Sequence, residues 1–170
     1  MRALEGFCRS IDWVNKKMGE FLGYLALGLT VSIFYEVISR YIFNSPTTWA
    51  YDVSIYFVGL MVMLAGGYAL LENAHVAIDV FAERLPSRAK KLIDLLLDII
   101  LLFSVGVLLW KGWNQALYSI KINEHYTSLL SPPIYPLKMA IPVGAFLLLL
   151  QGLAKTIRDF LNIINREAKC

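Results

Sequence analysis

The sequence predicts an all-α integral membrane protein. Four transmembrane helices follow an N-terminal amphipathic interfacial helix, and both termini are cytoplasmic. Three observations carry this expectation. First, hydrophobic residues make up 58% of the 170 residues and charged residues only 17%, with a mean hydropathy of +0.58. An average soluble domain carries about 25% charged residues. A soluble chain this small has too much surface to hide so much apolar side chain. Second, four continuously apolar runs each approach the ~20 residues that a membrane span needs. Third, the basic residues fall into blocks on alternate sides of those runs.

Residues 1–20 precede the first span and carry their own pattern. Leu4, Phe7, Cys8, Ile11, Val14, Met18 and Phe21 recur at spacings of three and four. Arg2, Glu5, Arg9, Asp12 and Lys16 fill the other side. One narrow apolar stripe on a charged helix suits the membrane interface or a partner surface. The spans follow at 21–43, 49–71, 92–113 and 134–157 of a single domain, residues 1–170. Their unbroken apolar character excludes β-barrel strands, which alternate with period two. The first run is too long for a signal-peptide core.

Orientation follows from lysine and arginine. Arg2, Arg9, Lys16 and Lys17 precede span one; Arg84, Arg88, Lys90 and Lys91 lie between spans two and three; Lys155, Arg158, Arg166 and Lys169 close the chain. These are twelve of the sixteen basic residues, and they place both termini in the cytoplasm. The outer loops are then Asn44 to Thr48, where Pro46 breaks the helix, and Asn114 to Pro133, with partial helix ended by Pro132 and Pro133. Pro136 and Pro142 predict an irregular or kinked fourth span. Cys8 and Cys170 stand at opposite ends and read as reduced cytoplasmic thiols.

Ionisable groups inside spans are costly and are candidates for function. Glu36 and Arg40 are four apart on one helix face. Counting from the turn in both directions brings Asp52 to the depth of Arg40, so a Glu36–Arg40–Asp52 cluster is expected. It reads as a hairpin staple, a partner contact or a transport path. Trp49 beside it reads as an interfacial anchor. Asp94 follows Lys90 by four and predicts an ion pair. Asp98 lies a turn deeper without a local partner; it reads as a buried contact to another helix or subunit, with a proton or cation site as the alternative. His75 and Asp79 are too few to bind zinc, so no metal is expected; they read as a helix-end or inter-subunit contact. No cofactor is expected either, since neither histidine is mid-span as a haem ligand would be. No nucleotide or hydrolase motif and no nucleic-acid patch appears, and enzyme function has no support. The residues alone leave open an accessory subunit, a self-contained small homo-oligomeric transporter, and a membrane anchor of another complex.

A family resemblance narrows this. Glu36-Val-Ile-Ser-Arg40-Tyr-Ile-Phe-Asn44-Ser-Pro46, Trp49, Asp52, Gly66-Gly67 and His75-Val-Ala-Ile-Asp79 occur in that order. The set resembles the DctQ-type small membrane subunit of TRAP, or tripartite ATP-independent periplasmic, transporters. That family reads approximately R-Y-x-F-N-x-x-x-x-W-x-x-E, then H-V-x-V-D. Asp52 departs from the more usual Glu and shortens the reach toward Arg40. The resemblance implies a sodium-coupled importer of an organic acid such as a C4-dicarboxylate or sialic acid. It implies a large membrane subunit of the DctM type, a periplasmic binding protein and the bacterial inner membrane; membrane lipids are expected from the basic cytoplasmic side, which suits anionic head groups. This chain would be a scaffold that helps dock the binding protein. Arg40, Trp49 and Asp52 become motif residues at the outer end, and His75 and Asp79 at the inner end.

Overall fold

A computed structural model describes residues 2–72, 87–128 and 130–167. His75 and Asp79 lie outside the described residues, as do the side chains of Lys90 and Asp94. Four α-helices follow in order: α1 (Arg2–Tyr41), α2 (Ala50–Leu71), α3 (Ser87–Lys121) and α4 (Tyr135–Glu167). Each contains a stretch long and apolar enough to cross a membrane.

The helices pack as a row. α1 lies against α2, α2 against α4, and α4 against α3, with a smaller contact between α1 and α4. Among the described residues, α1 and α3 share no extensive packing and form the two edges. Small residues let the inner helices approach, as membrane helix contacts require. Ala116, Ala145 and Ala154 are buried, and Ala140 joins Leu22 and Leu64 in a core between α1, α2 and α4. Gly144 marks the tightest approach: a Cβ there would stand 1.9 Å from the Met63 carbonyl oxygen of α2.

The N-terminal segment differs from the separate helix that the stripe predicts. α1 is one helix of 40 residues, about 60 Å at 1.5 Å per residue. No proline interrupts the junction, and Gly19 fits under the ring of Tyr68. The stripe packs within the chain: Cys8 and Ile11 are buried with Ala154 of α4, flanked by Leu150 and Ile157. Phe7, Val14 and Phe21 of the same stripe stay exposed.

α1 ends at Tyr41, and Asn44 turns the chain with a φ of 49°. α3 continues to Lys121 instead of stopping near Trp113, so the predicted partial helix of the third loop is the end of α3 itself. Leu117 and Ile120 extend its helical pattern outward. Pro136 falls in the first turn of α4, where a missing N–H costs nothing. Pro142 sits inside α4, fully buried beside Gly112.

Candidate functional site

Polar side chains gather at the two ends of the row. At the end holding the α1–α2 turn, Glu36 is the hub. Its Oε1 accepts from Arg40 Nε at 2.9 Å and from Nη2 at 2.5 Å. Its Oε2 accepts from the Thr47 backbone N–H at 3.0 Å and from the Thr47 hydroxyl. One carboxylate thus ties the last turns of α1 to the start of α2. The Ser39 hydroxyl donates to the Ser45 carbonyl at 2.7 Å, and the Tyr35 and Trp49 rings meet at 5.5 Å.

The structure corrects one member of the expected cluster. Among the described residues no ion pair joins Arg40 to Asp52. Asp52 is buried, and its Oδ2 accepts from the Ser128 hydroxyl at 2.7 Å. Its Oδ1 has no partner. One turn along α2, the Tyr56 hydroxyl donates to the Pro133 carbonyl. Two donor–acceptor pairs therefore fasten the α3–α4 loop across the top of α2. The physical reason is reach. Arg40 and Glu36 share a helix face and satisfy each other, and the short Asp52 side chain lies on the α2 face that looks toward the loop.

That loop is ordered by its own bonds. Tyr126 N–H donates to the Pro132 carbonyl at 2.8 Å and Ile134 N–H to the Glu124 carbonyl at 2.9 Å. Asn123 and Ser131 take φ of 47° and 48° at its two bends. Lys138 Nζ meets Glu124 Oε2 at 2.5 Å, and that contact holds the Glu124 carboxyl below the usual carboxylate range. His125 is exposed, with Nδ1 2.6 Å from the Asn123 carbonyl.

The opposite end holds a chain of polar contacts between α1 and α4. Asn15, fully buried, donates to Gln151 Oε1 at 2.9 Å. Gln151 Nε2 donates to Asp12 Oδ1 at 3.0 Å, and Arg158 pairs with Asp12 Oδ2 at 2.5 Å. Gly67 of α2 lies against this chain, where a Cβ would fall 2.2 Å from Asn15 Oδ1. Asp98, 4% exposed, meets Lys155 Nζ at 2.8 Å. The expected interhelical partner of Asp98 is thus Lys155 of α4. The sequence did hold a signal for Asn15: it continues the stripe of Cys8, Ile11 and Met18 as an amide among apolar residues.

The family model described as tripartite ATP-independent periplasmic transporters, DctQ component, matches residues 29–162. This chain belongs to the DctQ family. It is 30% identical over 99 residues to the C4-dicarboxylate TRAP transporter small permease protein DctQ of Vibrio cholerae, covering 56% of this chain and 43% of that one. It is 25% identical over 92 residues to the sialic acid TRAP transporter small permease protein SiaQ of the same organism, covering 54% and 53%. The chain spans about half the length of these curated relatives. DctQ proteins are transporter subunits and not enzymes. In this DctQ chain the motif residues Arg40, Trp49 and Asp52 surround the α1–α2 turn. Glu36, Asp52 and Asp98, the span carboxylates whose side chains are described, each accept from a donor of the chain itself.

Proposed function

We propose that this chain is the small membrane subunit of a sodium-coupled TRAP transporter that imports an organic acid across the bacterial inner membrane. It supplies scaffold to the large transport subunit and helps dock the periplasmic binding protein. Both termini face the cytoplasm, and the Arg40, Trp49 and Asp52 end faces the periplasm. C4-dicarboxylates and sialic acid are the substrate classes that the named relatives support.

The observation that carries the reading is the engagement of the three membrane carboxylates whose side chains are described. A self-contained exchanger needs a carboxylate that is free to load and release its ion. Glu36 is held by Arg40 and Thr47, Asp52 by Ser128, and Asp98 by Lys155. Such groups hold helices together. The open row supports the scaffold role: Tyr24, Leu27, Val31 and Phe34 line an exposed apolar face of α1, and Leu96, Ile99, Phe103 and Trp110 one of α3. A helix covered on one side only suits lipid or a further membrane subunit. Phe7, Val14 and Phe21 suit the cytoplasmic membrane interface in the same way.

Reconstituted uptake tests the proposal. Vesicles holding both membrane subunits, supplied with the binding protein and an inward sodium gradient, should accumulate the organic acid. Omission of this chain should abolish uptake, and this chain alone should transport nothing. Uptake by this chain alone would overturn the proposal.

A further inference from the structure

Asp52 is the motif residue of the turn-bearing end that a partner cannot touch directly. It is 5% exposed, and Ser128 of the α3–α4 loop covers its carboxylate. No lysine or arginine pairs with it among the described residues: Arg40 engages Glu36, and Lys138 engages Glu124. Its Oδ2 receives one neutral hydroxyl, and its Oδ1 receives nothing. A buried carboxylate that works through its charge needs an opposite charge or several donors, and Asp52 has neither. What it has is a position under the loop. The Ser128 hydroxyl also accepts from the Ser131 N–H at 3.2 Å, so this one contact ties the bend at Ser131 to α2. Tyr56, one turn further along α2, ties the base of the loop through the Pro133 carbonyl. Around these ties the loop exposes Thr127, Leu130 and Ser131.

We infer that Asp52 is a positioning residue: it acts as a hydrogen-bond acceptor that holds the tip of the α3–α4 loop in shape for docking of the binding protein, and its charge meets neither partner nor ion. The inference rests on the proposed docking role and assigns this motif residue its part in it. A loop fixed before encounter has little ordering left to undergo on binding, which limits the entropic cost. Without the Asp52 acceptor the tip keeps its own Ser128–Ser131 bonds and loses its tie to α2. An asparagine amide oxygen accepts from a hydroxyl as a carboxylate oxygen does, so the role survives loss of the charge and not loss of the acceptor.

The test uses the complex of both membrane subunits in nanodiscs and measures its affinity for the purified, fluorescently labelled binding protein. Asp52→Ala should weaken binding about threefold or more, the scale of one lost hydrogen bond. Asp52→Asn should bind as wild type does. Ser128→Ala should weaken binding at least as much as Asp52→Ala, and the two losses should not add in the double variant, because both remove the same contact. If Asp52→Ala does not assemble, Asp52→Asn and Ser128→Ala carry the test. If Asp52→Asn loses affinity, the charge is in use; the inference is overturned and the docking role stands. The same holds if Ser128→Ala or an assembled Asp52→Ala binds as wild type does, or if their losses add. If wild-type complex does not bind the protein at all, the docking role fails and the inference with it.

Discussion

Gly144→Ala is the sharpest perturbation of the helix row. A Cβ at this position would lie 1.9 Å from the Met63 carbonyl oxygen and 2.7 Å from its carbon. These are backbone atoms, so no rotamer change relieves the contact. A carbon and an oxygen need about 3.2 Å, so α2 and α4 must separate locally by about 1.3 Å, enough to forfeit much of the dispersion attraction there. Overpacking of this kind costs about 1–3 kcal/mol, and 2 kcal/mol is a factor of about 30 in the folded-to-unfolded ratio. Gly106→Ala is the matched control, because nothing lies within 4 Å of its Cβ. Alanine there should be neutral or stabilising, up to about 1 kcal/mol from helix propensity. The assay is unfolding of each purified variant in the same detergent, followed by far-UV circular dichroism. Gly144→Ala should unfold earlier than wild type and Gly106→Ala should not. Equal stability of Gly144→Ala and wild type would refute the close α2–α4 approach.

Three further outcomes follow from the same contacts. Lys155→Ala strands the buried Asp98 carboxylate, so the Asp98→Ala/Lys155→Ala double variant should lose less stability than the sum of the two single variants; a double-mutant cycle with coupling below about 0.5 kcal/mol would contradict this. Gly67→Ala drives a methyl into Asn15 Oδ1, and Asn15→Ala should rescue part of the loss, read as recovered unfolding midpoint in the double variant. Lys138 keeps the folded Glu124 carboxyl below its ordinary value of 4.5. That contribution is complete above the unfolded value and is lost as pH falls through the lowered folded value. Protease cleavage within 122–134 should therefore rise in that acid window, and Glu124→Gln should show the raised cleavage at neutral pH.

Much of the architecture was legible because membrane spans obey one strong rule: about 20 apolar residues in a row. Pro46 and the Lys/Arg blocks supplied the breaks and the expected orientation. Cross-helix partners were less legible. Glu36–Arg40 is a local i,i+4 pair and can be read along one helix. Asp52–Ser128 and Asp98–Lys155 join residues 76 and 57 apart, and nothing in one sequence states which helix faces which. The separate N-terminal helix was expected because polarity changes near residue 20. Without a proline or a turn there, hydrogen bonding carries one helix through. The Asp12–Gln151–Arg158 chain was overlooked because Asp12 and Arg158 read singly as surface groups and Gln151 is an uncharged side chain within the fourth span.

Membership of a larger assembly is the central claim. A tag on this chain, extraction from the native membrane in mild detergent, and mass spectrometry of the eluate test it directly. The account predicts a stoichiometric membrane protein of many spans co-eluting with this chain. Recovery of this chain alone, as a discrete homo-oligomer, would contradict it.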